Sequence, residues 1–407
     1  MRAGARKRIS WIAVVVGVAT LAAAHVDTAD AQTAADLFDA RVVQEVRLFI
    51  NERDLKELRE RYLENVYFPA DLHWGGLQVR NVGMRSRGLA SRSATKLGLK
   101  IDFNHFSTGQ RFLGLASLVL DNLVTDPSMV RDSVAMSFFS RLGGPSSRQA
   151  FARVYINGVF QGLYAVVEVV DGDFLARTIG ERDGYLFERH FVTPFLGSDL
   201  GDDPAAYRTV FQPRTHELEA DTVLFTPIRN LFREVNQPVD SAWRDRVEHY
   251  IDLKQLVTHA AIETFLAEKD GVLGESGMAN FYLYRSRSSD QHRLIVWDKD
   301  STFSAIDRSI AQGVAQNILF SRALTFEDLR TLYLDVLERC ARLAAADDWL
   351  ENEIARVTTI VRVAAHEDGT KPYTNDAFDA AVDFVKLFAR QRSSFVLQEI
   401  ARERQVR

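Results

Sequence analysis

One β-hairpin constrains this chain more than any other feature, because its second strand runs out into two carboxylates. Asn280-Phe-Tyr-Leu-Tyr-Arg285 and Arg293-Leu-Ile-Val-Trp-Asp-Lys-Asp300 flank the polar turn at residues 286–290. Apolar alternation through Phe281, Leu283, Leu294 and Trp297 predicts two buried strands, so Asp298 and Asp300 emerge where a core strand ends. Carboxylates in such a place are costly unless a cation or hydrogen-bond donors compensate them. A side-chain amide with two or three carboxylates suits the oxygen-seeking Mg²⁺ ion. Phosphoryl transfer needs such a set: an Asp to orient the attacking hydroxyl, an Asn and an Asp on metal, and basic groups on the phosphates. Asp270, Asn280 and Asp298 fit those roles in chain order. The competing reading is structural, since an Asp after a strand commonly caps a turn.

The sequence around this hairpin divides in two. From Val42 to Glu168 it reads as strands, at residues 43–50, 77–82 and 96–103, with a charged helix over 51–58. Asp126-Pro127 reads as a helix start for an apolar stripe running to Gly143-Gly144. Asn157-Gly158, set between residues 153–156 and 163–168, predicts a tight hairpin, because both central residues must take φ > 0. From Pro227 onward the period turns helical, with long amphipathic stretches at 253–265, 326–345, 349–363 and 377–400. A strand-rich N-lobe (32–188) followed by an insertion loop and a helical C-lobe (189–407) predicts an α+β, two-lobe fold of the protein-kinase type.

The first 31 residues read as a signal peptide. Arg2, Arg6, Lys7 and Arg8 precede an apolar run from Trp11 to Ala24, and Ala29-Asp-Ala31 offers a small-residue cleavage site before Gln32. A signal anchor is the alternative. Cleavage predicts an exported protein, periplasmic or at the cell surface. It removes four of 50 basic and two of 55 acidic residues, leaving 46 against 53 and a net charge of −7. That balance excludes nucleic acid as a partner. The single Cys340 excludes an intramolecular disulfide, so the apolar core must hold the fold. No later segment predicts a membrane span, and oligomeric state stays open.

Other residues fit nucleotide contacts. Arg85, Arg87 and Lys96 flank a turn containing Gly88, where cations and backbone N–H groups could meet phosphates, although no GxGxxG or Walker sequence is present. Lys96 and Lys100 share a strand face by alternation, and Glu168 is the expected acidic partner of such a lysine. Gly184-Tyr-Leu-Phe187 reads as a hinge-like strand, with Glu188 where a basic residue is expected. Ten residues separate Asp270 from Asn280, so the loop with Gly271, Gly274 and Gly277 must fold back. The loop from Arg189 to Asp221, with Asp199, Asp202 and Asp203, is either a solvated insertion or an acidic lid recruiting basic peptides.

Taken in order, Arg85-Ser-Arg-Gly-Leu-Ala-Ser-Arg92, Lys96, Lys100-Ile-Asp-Phe103, Arg111-Phe-Leu-Gly-Leu115, Asp126 to Arg131, Val154-Tyr-Ile-Asn-Gly158, Gly162-Leu-Tyr164, Glu168 and Trp297-Asp-Lys-Asp300 resemble the spore-coat CotH family. The resemblance covers nearly the whole mature chain. It implies an atypical secreted kinase using ATP and Mg²⁺ or Mn²⁺ to phosphorylate Ser or Thr of protein substrates. It places the catalytic Asp at Asp270, metal ligands at Asn280, Asp298 and the assisting Asp300, and Tyr164 and Trp297 near the adenine. Alternatives are an ATP-dependent transfer such as AMPylation, or a non-catalytic envelope scaffold that retains the fold.

Overall fold

The computed structural model describes Met1, residues 32–189 and residues 194–405. The expected signal peptide therefore lies outside the described residues. The residues from Thr33 onward form one compact unit. The unit is α+β, strand-rich in its first part and helical in its second.

The strands β1 (Val43–Ile50), β2 (Phe68–Trp74), β3 (Leu77–Ser86), β4 (Leu99–Asp102), β5 (Ser117–Asp121), β6 (Gln149–Ile156) and β7 (Val159–Glu168) close a barrel in the order β1-β2-β3-β4-β5-β7-β6. Closure comes from the parallel pairing of β1 with β6, in which Val43 faces Phe151 and Leu48 faces Ile156. Barrel closure leaves no free edge on this sheet. Val46, Leu48, Val82, Met84, Leu99, Ile101, Leu120, Val154, Tyr164 and Val166 are buried within the barrel's own core cluster. The Asn157-Gly158 turn has φ of 50° and 81°, as its sequence requires.

A second sheet, β11-β10-β8-β9, joins β8 (Tyr185–Arg189) and β9 (Phe211–Pro213) to the expected hairpin of β10 (Phe281–Arg285) and β11 (His292–Val296). Phe281 pairs with Val296 and Leu283 with Leu294. All five residues of β10 are buried, so the strand has apolar neighbours on both faces rather than on one. The helices Leu253–Phe265, Glu327–Ala345, Trp349–Glu367 and Asn375–Gln405 match the periodic stretches read from sequence.

Two local expectations fail for identifiable reasons. The helix expected to start at Pro127 begins at Arg131 instead, because Met129 takes φ 58° and interrupts it. The strand expected from Lys96 begins at Leu99, so Lys96 and Lys100 do not share one strand face. Lys96 is instead 1% exposed, and its Nζ donates to Asp368 Oδ2 at 2.6 Å and to Leu163 O at 2.9 Å. Asp368 also accepts from the backbone N–H groups of Leu163, Thr370 and Lys371 and from the Thr370 hydroxyl. Gly162 gives it room, since a Cβ there would stand 2.4 Å from the Asp368 carboxylate oxygens.

This buried pair ties the barrel to a turn 272 residues away in the C-terminal part. Breaking such a pair leaves one buried charge uncompensated, at a cost of about 3–5 kcal/mol. Lys96→Met is therefore expected to lower unfolding free energy by about that amount, read from the urea midpoint at constant m. A change below about 1 kcal/mol would show that Lys96 has no structural task.

Candidate active site

The site is built where β5, the loop after it, and the turn after β11 meet. The strand β5 ends in Asp121, just as the apolar run of β11 and Trp297 ends in Asp298. Asp121 Oδ2 accepts from Arg87 Nη1 at 2.8 Å, and its Oδ1 accepts from Leu123 N–H at 2.9 Å. The loop then turns on Asp126, whose carboxylate takes the N–H groups of Ser128 and Arg131. Within that loop the Thr125 hydroxyl donates to Asp300 Oδ2. From the first turn of the following helix, Asp132 Oδ1 accepts the Lys299 N–H at 2.7 Å, and Gln149 Nε2 donates to its Oδ2.

A cavity of about 20 Å³ lies among these groups, lined by Asp121, Thr125, Asp126, Asp132, Ser133, Gln149, Asp298 and Asp300, with apolar neighbours. Burial, then Asp300, Asp132 and Asp121, push the Asp298 carboxyl well above the usual range, and Arg87 only partly opposes them. Asp300 is raised by burial and by Asp121 and Asp126, against the bonds from Thr125 and Ser301. Burial pushes Asp132 up to about 6. These carboxylates lack the positive charge that would let them ionise together.

Asp270 and Asn280 form a neighbouring unit. The glycine-bearing loop folds back as expected: Ala279 N–H donates to Gly271 O at 3.0 Å, and Asn280 Nδ2 donates to Asp270 O and Oδ2 at 2.8 and 3.0 Å. Lys299 links this unit to the acidic pocket. Its Nζ, fully buried, donates to Asn280 O at 2.8 Å and pairs with Glu263 Oε1 at 2.7 Å, while its own N–H holds Asp132. Glu263 Oε2 accepts the Val272 N–H at 2.7 Å, and His259 pairs with Oε1 at 3.1 Å. Burial pushes Glu263 up, but Lys299 and His259 outweigh it and hold the carboxyl at about 2.

Backbone strain collects on the segments that make the site. Leu123, Met129, Ala267, Asn280, Asp298 and Phe303 all take φ between 51° and 58°. Such conformations cost of order 1–3 kcal/mol each for residues without a ready αL preference, and they persist only where surroundings impose them. Here the Phe303 N–H donates to Leu266 O at 2.6 Å, which clamps two of these segments together.

The predicted site residues thus fall into groups. Asp298 and Asp300 converge with Asp121 and Asp132, and Asp270 meets Asn280. Arg87 is held by Asp121 and lies 5.9 Å from the Trp297 ring centroid. Lys100 is half-buried on β4 opposite Arg85, and burial and that arginine lower its pKa. Tyr164 is fully buried in the barrel core, 5.2 Å from Lys96 Nζ. Glu168 does not meet a lysine: Arg148 at 2.7 Å and Arg177 at 3.0 Å occupy it.

Glu188 bonds Arg214 at 2.6 Å. The acids of the long loop are used locally, Asp199 by Gly201 and Tyr207, Asp202 by Arg233, and Asp203 by Ala205.

Sequence reasoning missed Asp121 and Asp132. A strand-ending Asp at 121 carries the same signal as Asp298, whereas Asp132 meets Lys299 across 167 residues, which no spacing reveals. Among the described residues, no three His, Cys, Asp or Glu side chains are drawn together enough to cage a metal ion by themselves. No helix among them is long and apolar enough to cross a membrane.

Glu268 adds a pH signature. Its Oε1 accepts the Asp270 N–H at 2.7 Å, and burial pushes its carboxyl up to about 8. A raised carboxyl binds a proton in the folded state that the unfolded chain releases near pH 4.5. Its contribution is therefore full below that pH and is lost as pH rises through about 8. Glu268→Gln is expected to flatten the fall of stability between pH 5 and 9, measured by urea denaturation beside the parent. Parallel curves would contradict a neutral Glu268.

Comparison with known proteins adds three findings. The family model described as CotH kinase protein matches residues 84–396. The inner spore coat protein H of Bacillus subtilis (strain 168) is 25% identical over 369 residues, which take in 87% of this chain and 97% of that protein. Among solved structures, the Helicobacter pylori proinflammatory kinase CtkA gives a TM-score of 0.29 at 10% identity, over 76% of this chain and 94% of that one. That likeness is too slight to transfer anything.

Proposed function

Because this chain belongs to the CotH kinase family, we propose that it transfers the γ-phosphate of ATP to Ser or Thr hydroxyls of protein substrates. The observation that carries this reading is the raised acidic pair Asp298 and Asp300, with Arg87 acting on Asp298, joined through Lys299 to the Asp270–Asn280 unit. Half-buried carboxylates with this charge deficit suit a divalent cation, and Mg²⁺ commonly takes one or two carboxylates together with substrate phosphates and water. Asp298 and Asp300 would hold it, and when bound it neutralises charge on the phosphates.

The chain's own residues supply the rest. Asp270 orients the substrate hydroxyl and takes its proton as the new O–P bond forms and the bond to the ADP oxygen breaks. Asn280 Nδ2 fixes the Asp270 carboxylate, and the Lys299 bond to Asn280 O fixes Asn280. Arg87, with Lys100 beyond it, is suited to phosphate oxygens, and Trp297 to the nucleotide's flat face. Lys96, Tyr164 and Glu168 support the barrel instead. The net charge of −7 after removal of residues 1–31 favours basic protein substrates, and that N-terminal sequence supports export.

The test is transfer of label from γ-labelled ATP, with Mg²⁺ or Mn²⁺, into a basic Ser/Thr-containing protein by the exported product, expected to begin at Gln32. Asp298→Asn and Asp270→Asn are each expected to lose about 100-fold or more. Label incorporated from the α-phosphate alone would replace this reading with nucleotidyl transfer. No transfer together with no ATP-induced thermal shift would replace it with a scaffold.

A further inference from the structure

Gln149, the first residue of β6, is more than nine-tenths buried and lines the acidic cavity. Its Nε2 donates to Asp132 Oδ2, and this orientation leaves Oε1 as the amide's remaining polar atom. Oε1 is buried with no hydrogen-bond partner. A buried acceptor without a donor costs about 1–3 kcal/mol, and here it stands among carboxylates that are themselves acceptors. Of the hydroxyls lining the cavity, Thr125 donates to Asp300 and Ser133 makes no hydrogen bond to Oε1. Asn280, whose amide is turned to Asp270, is not part of the lining.

From this arrangement we infer that Gln149 Oε1 is a cation-facing oxygen ligand, so that the divalent ion seats on the barrel side of the site, between β6 and the Asp298–Asp300 turn, rather than at Asn280. The inference rests on the kinase reading for its biological use, but not for its test. A neutral amide oxygen adds a hard donor without adding to the negative charge already gathered there. It also accounts for a cation site without a three-acid cage, because two carboxylates and one amide leave coordination positions for water and nucleotide phosphate.

The experiment is a nucleotide-free Mn²⁺ titration of the whole mature protein, read by the loss of the free-ion EPR signal, with thermal shifts alongside. Gln149→Leu is expected to weaken Mn²⁺ binding tenfold or more, and Asn280→Ala less than twofold. Gln149→Glu keeps the test informative if the leucine variant folds poorly. It adds a carboxylate beside Asp132, so it should melt lower without metal and gain a larger Mn²⁺-induced shift than the parent.

Equal Mn²⁺ affinity in parent and Gln149→Leu, a larger loss in Asn280→Ala, or no Mn²⁺ binding by the parent would each overturn the inference. A parent that binds Mn²⁺ through Gln149 yet transfers no phosphate would sink the kinase reading and leave this one standing.

Discussion

The contact between Lys299 and Glu263 is the constraint on which the site depends. Both side chains are buried, the ammonium completely, at 2.7 Å. Two ions taken out of water repay their desolvation only with further hydrogen bonds, and both have them: Asn280 O on the lysine, and Val272 N–H and His259 on the glutamate. The pair therefore joins the helix Leu253–Phe265, the loop that carries Asp270, and the turn that carries Asp298 and Asp300. Because Lys299 lies between the two aspartates in sequence, fixing it inward leaves them to project into the acidic pocket. Asp298, the residue before that lysine, takes φ 52°.

A second buried ion pair does for the whole fold what this one does for the site. Lys96 and Asp368 bind the barrel to the end of the helix Trp349–Glu367, and Gly162 gives the carboxylate its space. Both pairs cost the chain solvation, and both give a unique geometry that apolar packing alone would leave free to slide. The acidic cavity then sits between parts that are individually rigid. Its carboxylates are raised because a fixed frame brings them together without supplying the positive charge they need.

What the sequence made legible follows from the range of the interactions involved. The hairpin of β10 and β11, the Asn157-Gly158 turn and the four long C-terminal helices are set by local periodicity and turn chemistry, and they stand within a few residues of where the pattern places them. The fold-back of the loop at Gly271, Gly274 and Gly277 follows instead from giving Asp270 and Asn280, ten residues apart, to one site. The late start of the helix at Arg131 was not legible, because Met129 in the left-handed region is imposed by its surroundings and not by its own preference.

The sequence places Lys96 with Arg85 and Arg87 beside the Gly88 turn, and on one strand face with Lys100, as a candidate phosphate ligand. Its true neighbour is 272 residues on, and no local rule reaches that far. Asp132 was hidden in the same way, while Asp121 was open to the argument already made for Asp298. Glu168 looked like a lysine's partner, but two arginines reach it first.

The most direct test of this account is the anomalous signal from a crystal of the mature protein grown with Mn²⁺ and a non-hydrolysable ATP analogue. The account predicts one Mn²⁺ peak at least between the Asp298 and Asp300 carboxylates, with the triphosphate toward Arg87 and the Asp270 carboxylate open to an incoming hydroxyl. A peak away from both aspartates, or a nucleotide bound elsewhere than beside Arg87, would contradict it.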